Sequence, residues 1–135
     1  MTVLVDTAVF MYAAGGDHPL QAPARQVLRE AQSGRLDAVI SAEVVQEILH
    51  RFAGTRRHDD GIRLAEAALH MFRPVLSIGH GVMHRTTDLA RRHPTEQARD
   101  LLHVATCLAY DLRAIVSPDE DFDGIGEVTR IPLDG

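Results

Sequence analysis

The side chains in this sequence whose types and spacing could do chemistry are carboxylates. Asp6 directly follows the apolar run Val3-Leu4-Val5, and Asp119 and Asp121 come a few residues after Ala114-Ile115-Val116. Glu43 and Glu47 lie in the helical pattern after Ala38-Val39-Ile40, and Asp100 stands at the head of the most apolar helical stretch. Carboxylates gathered in one place repel one another and take up protons unless a hard divalent cation offsets their charge. An all-oxygen set favours Mg2+ or Mn2+ over Zn2+. A cation of that kind polarises a phosphoryl oxygen and lowers the pKa of water, so a phosphodiester can be hydrolysed without a protein nucleophile. Taken singly, an acid at a strand end or helix start more often serves as a cap or a solvated charge. Chemistry therefore requires that separate segments converge.

The elements needed for convergence are legible as alternating short apolar runs and helical periodicities. Val3-Leu4-Val5, Ala38-Val39-Ile40, Val75 to Ile78 and Ala114-Ile115-Val116 read as buried strands, and Glu127 to Ile131 as a fifth. Helical spacing runs through Ala24 to Ala31, Val44 to Phe52, Ile62 to Phe72, Val82 to Ala90 and Leu101 to Ala109. Ser41 is placed to cap the second of these, Gly34 and Gly54 to stop the first two, and Pro74 and Pro94 to break the pattern later. Strands alternating with helices imply right-handed crossovers and a parallel sheet with helices on both faces. The expected architecture is thus a three-layer α/β/α unit with a four- to five-stranded, mainly parallel sheet, built as one domain over residues 1–135. Ligand crevices in such sheets open at the carboxyl ends of the strands, which is where Asp6, Asp119 and Asp121 fall.

Composition narrows the partners. Hydrophobic residues at 45% and charged residues at 24% are ordinary globular values. The net charge of -5, from 14 basic and 19 acidic residues, supplies no general attraction for a polyanion, so any nucleic-acid contact must be local or carried by metal. Every basic residue is Arg, which suits bidentate phosphate contacts, although codon bias explains the absence of Lys as well. The lone Cys107 excludes an internal disulfide framework, the N-terminus has no basic leader, and no apolar run approaches a membrane span. A cytoplasmic protein is expected.

Four segments together carry a family resemblance: Val3 to Thr7, Ser41 to Leu49, Asp100 to Ala105, and Val116 to Phe122. Their order and spacing resemble the PIN domain and, within it, the VapC-type toxins of bacterial toxin–antitoxin pairs, over essentially the whole chain. By position, Asp6, Glu47, Asp100 and Asp119 resemble that family's acidic quartet, and Asp121 the extra acid beside the last. Glu43 is the rival of Glu47, one helical turn away on the same face, but its separation from Ser41 does not fit the family pattern. Thr7 resembles the hydroxyl residue that supports the site, and Ser117 is counted with it. The resemblance implies a ribonuclease dependent on Mg2+, with Mn2+ as substitute, acting on RNA. It also implies inhibition by a small cognate antitoxin and a homodimer.

Other constellations are weaker. Arg51, Arg56 and Arg57 could grip RNA phosphates or an antitoxin's acids, or form a solvated loop. Arg85, Arg91 and Arg92 rank below them. His80 and His84 have the spacing of a helical metal pair but lack the Glu of a zinc protease helix. His103, one turn after Asp100, could hold a carboxylate or simply pack, and Phe10 and Tyr12 read as core rather than as base-stacking residues. A receiver domain is excluded by the absence of Lys, and a haloacid-dehalogenase-type phosphatase by Ala8 where a second Asp is needed. The competing reading is a catalytically silent PIN-like interaction module.

Overall fold

The computed structural model describes residues 1–134. In chain order the elements are β1 (Val3–Val5), α1 (Thr7–Ala14), α2 (Gln21–Gln32), β2 (Ala38–Val39), α3 (Ala42–Phe52), α4 (His58–Met71), α5 (His80–Arg92), α6 (Ala98–Ala109), β3 (Ala114–Val116) and β4 (Thr129–Ile131). A 3-10 turn over Glu120–Gly124 joins the last two strands.

The sheet has four strands in the order β2-β1-β3-β4, and every pairing is parallel. Its faces follow from the period of two along each strand. Val3, Val5, Ala114 and Val116 point into one core with Val9, Phe10, Val44, Ile48 and Ala68 from α1, α3 and α4. Leu4 and Ile115 point into a second core with Leu89, Leu101, Val104 and Phe122, which brings in α5 and α6. Helices therefore cover both faces, as the apolar, non-alternating strands require. The chain leaves β1 toward β2 on one side and returns to β3 on the other, so strand order reverses at the carboxyl end of β1.

One expected strand is corrected, one helix is added and one cap is qualified. Val75 to Ile78 is not a full strand: it makes one parallel bridge, Leu76 to Ser41, with Leu76 N–H donating to Ile40 O and Ala42 N–H to Leu76 O. Pro74 has no N–H to extend that ladder, and α5 begins soon after, at His80. The helix α1 had no counterpart in the pattern reading, because Thr7–Ala14 is apolar nearly all round and has no polar face to reveal its period. Ser41 does sit at the N-cap of α3, but its hydroxyl makes no cap bond and is buried without a partner. The two glycine stops hold, since Gly34 and Gly54 take the left-handed φ values of 79° and 73° that favour glycine. Among the described residues, no helix is long and apolar enough to cross a membrane.

Candidate active site

The acids converge at the switch point of the sheet. Asp6 is the N-cap of α1 by backbone geometry, yet its side chain makes no cap bond and turns instead toward β3. There Ser117 Oγ donates to Asp6 Oδ2 at 2.7 Å, and the same hydroxyl accepts from the Asp119 N–H at 3.0 Å. One buried serine thus ties the end of β1 to the loop after β3. Asp119 Oδ1 accepts from the Asp121 N–H at 2.9 Å, which starts the 3-10 turn and leaves Oδ2 free of that bond.

Asp6, Thr7, Ala8, Glu47, Arg51, Arg99, Asp100 and Asp119 line one polar cavity of about 60 Å3. Every member of the quartet named from the sequence is in that wall. Within it the acids divide into two sets. Ligand oxygens of Asp100, Asp119 and Asp121 lie within 4.8 Å of one another. Asp6 and Glu47 instead flank His103, whose Nε2 is 2.7 Å from Glu47 Oε1 and 3.6 Å from Asp6 Oδ1. Thr7 Oγ1 also donates to Glu47 Oε1, at 3.2 Å, so Oε2 is the oxygen left facing Arg99 Nε at 3.9 Å.

Electrostatics separates the two sets. Burial, reinforced by the neighbouring charges of Asp119 and Asp6, pushes the Asp100 carboxyl up to about 6 from its ordinary 3.8. Asp100 Oδ2 is buried without a hydrogen-bond partner, and Arg99 Nε is 3.8 Å from Oδ1. Burial also raises Asp6, against the charge of His103 and the hydrogen bond from Ser117. Glu47 goes the other way: burial opposes its charge, but the hydrogen bond and charge of His103, with Thr7 and Arg99, hold it below its usual value. Burial likewise opposes the charged imidazole of His103, and its carboxylate partners overcome that and raise it. His103 and Glu47 therefore form a buried ion pair, while Asp100 is an acid in want of a cation. An unpartnered carboxylate oxygen in an all-oxygen cluster is the setting that a hard divalent cation fits.

Among the arginines singled out from the sequence, only Arg51 reaches this cavity. Arg57 is occupied by Asp60 at 3.1 Å and by Ala14 O at 3.2 Å, and it stacks over the Phe52 ring. Arg56 is exposed on the loop between α3 and α4. Arg91 pairs with Asp88 and Arg92 with Glu127, away from the acids. His84 faces Asp88, and neither it nor His80 belongs to the acidic cluster.

Two side chains of the site carry only a weak signal in the sequence. His103 is spaced as a neighbour of Asp100 but holds Glu47 from across the site. Arg99 is signalled only as a cation in the first turn of α6, which opposes the helix dipole and is a local anomaly that a third partner would explain.

Comparisons with known proteins bear on the family and the fold. The PIN domain family model matches residues 3–128. Ribonuclease VapC13 of Mycobacterium tuberculosis is 33% identical over 129 residues, covering 96% of this chain and 98% of its own. Ribonuclease VapC23 of Mycobacterium tuberculosis is 42% identical over 108 residues, covering 78% of this chain and 82% of its own. Among solved structures, VapBC2 from Rickettsia felis, bound to a DNA fragment from its promoter, has a chain that matches with a TM-score of 0.76 at 16% identity. That match covers 98% of both chains. It supports the three-layer fold.

Proposed function

The chain belongs to the PIN domain family, and from that premise we propose that it is a divalent-cation-dependent endoribonuclease, the toxin of a toxin–antitoxin pair. The observation that carries the proposal is the unpartnered, buried Asp100 Oδ2 beside Asp119 and Asp121 at the sheet's switch point. Asp100, Asp119 and Asp121 would hold the cation, with Asp6 as the adjoining carboxylate. Mg2+ is the natural occupant and Mn2+ its substitute. The cation supplies charge compensation and the Lewis acidity that activates water for attack on phosphorus.

The protein's own groups do the rest. Ser117 fixes Asp6 against the Asp119 loop. Thr7 and His103 occupy Glu47 Oε1, which leaves Oε2, beside Arg99, as the oxygen that would orient a water and accept its proton. Arg51 and Arg99 place positive charge at the mouth of an acidic cavity and draw in the RNA phosphate that the net charge of -5 would otherwise repel.

The relatives' names and the VapBC pairing of the structural neighbour support a cognate antitoxin as the protein partner. The test is cleavage of RNA by the purified protein in Mg2+ or Mn2+, against EDTA and against Asp6→Asn and Asp100→Asn. Cleavage that depends on the cation and is lost in both variants is expected. Cleavage surviving both substitutions would reject this site. No cleavage of any RNA would return the protein to the silent interaction module.

A further inference from the structure

A larger cleft adjoins the carboxylate cavity and is not needed to hold a cation. It has a volume of about 630 Å3 and shares Ala8, Arg51 and Asp119 with the smaller cavity, so the two adjoin. Its floor is apolar: Met11 and Tyr12 from α1, Leu20, and Pro118 from the loop after β3. Each of these is half-buried, and Met11 and Tyr12 also pack against the core. Its rim is polar, with Arg51 a donor only and Glu120, when ionised, an acceptor only.

We propose that this cleft is a nucleobase subsite, holding the base of a nucleotide next to the bond that is cut. A phosphate alone would make no use of the apolar floor and would meet two carboxylates. A purely aliphatic group would leave the Arg51 and Glu120 edge unanswered. A base has an apolar face and a donor–acceptor edge, and so uses both. The volume lies within the roughly 300–1,000 Å3 of small-molecule sites, which admits a single nucleotide. Tyr12 provides the ring, set against the His18 ring with centroids 4.8 Å apart.

The carboxylate cavity also shares Glu47, Arg51 and Arg99 with a cavity of about 230 Å3 whose lining adds Glu43, Gln46 and His50, so Arg51 borders all three.

The inference rests on the ribonuclease reading, and the test separates the two. Cleavage in Mn2+ is measured with oligoribonucleotides randomised on either side of the cut, for the native chain and for Tyr12→Leu, Tyr12→Phe and Glu120→Gln. Melting temperatures establish that each variant is folded. Binding of the same labelled oligonucleotides to Asp100→Asn, with and without Tyr12→Leu, is measured in parallel. The native chain should prefer certain bases at one position adjoining the cut. Tyr12→Leu, which keeps apolar volume but removes the ring, should flatten that preference and lower kcat/KM by about tenfold, mostly through KM. Tyr12→Phe should retain the preference, and Glu120→Gln should change which base is preferred. A base profile unaltered in both Tyr12→Leu and Glu120→Gln overturns the subsite and leaves the cleft to a protein ligand. Tyr12-dependent RNA binding without any cleavage keeps the subsite and removes the nuclease. Neither binding nor cleavage removes both.

Discussion

Two groups of acids in this protein have the same side chains and opposite fates. Asp60 and Asp123 lie on the surface, hydrogen-bonded to Arg57 and Arg63 in the one case and to Arg130 in the other. Those arginines hold both carboxyls below their usual value. Asp100 is buried, has an oxygen with no partner, and is pushed up to about 6 by burial and by Asp119 and Asp6. A surface ion pair satisfies its charge within the chain and contributes little. A buried acid cluster leaves its charge unsatisfied and so needs something from outside. The contrast teaches that the informative acid is the one the fold declines to pair. His103 with Glu47 is the intermediate case, buried but satisfied.

The sharpest way to break the contrast is Asp100→Asn. Cleavage should fall by at least about a hundredfold, beyond the ten- to hundredfold expected for residues that only support a metal site. Retained cleavage would make Asp100 no different from Asp60.

His103→Leu should come next in size. It leaves Glu47 buried with Thr7 and without its ion-pair partner, at a cost of about 3–5 kcal/mol in urea unfolding. The sign of the pH dependence follows from both partners. The contribution of His103, raised above 6.5, is complete below that value and fades as pH climbs through the folded pKa. That of Glu47, lowered from 4.5, is present above 4.5 and is lost as pH falls. The gap between the native chain and His103→Leu should therefore be widest between those limits and shrink in alkali. A gap that grows in alkali would show that the pair is not ionic.

A third effect has the opposite sign. Because Asp100 rises from 3.8 to about 6 on folding, the folded metal-free protein holds that proton more tightly, and stability falls as pH rises through this window. Metal-free Asp100→Asn should thus be more stable than the native chain at pH 7, by on the order of 1–2 kcal/mol after solvent screening. The two should converge below pH 3.8. Saturating Mn2+ should reverse the ranking by stabilising the native chain by about 2.7 kcal/mol at a hundredfold excess over Kd, read as a higher melting temperature. An unchanged melting temperature would count against the metal site.

The smallest effect belongs to the surface group. Asp60→Asn should leave both cleavage and melting temperature unchanged, and a measurable loss of either would dissolve the distinction between the two kinds of acid.

Much of the site was legible because strand ends are legible. Asp6 and Asp119 stand close after short apolar runs that read as buried strands, and parallel sheets gather such ends along one edge. Glu47 was harder. Glu43 and Glu47 share a helix face, and periodicity cannot say which turn abuts a neighbour. In the fold Glu47 enters the cavity, while Glu43, partly buried and raised by burial, lines the shallower one beside it. Tyr12 was read as core, and half of it is; the other half lines the cleft.

By itself the sequence determined four of the five expected strands, every helix but α1, and the edge on which carboxylates collect. Those properties are periodic and local, because the burial of a face is written in the spacing of its apolar residues. Only the tertiary structure decided which lone pairs are used. Glu47 Oε1 is taken by a histidine 56 residues away, Asp6 Oδ2 by a serine 111 residues away, and Asp100 Oδ2 by nothing among the described residues. Hydrogen bonds form or fail over tenths of an ångström between segments remote in the chain, and no spacing rule carries that information.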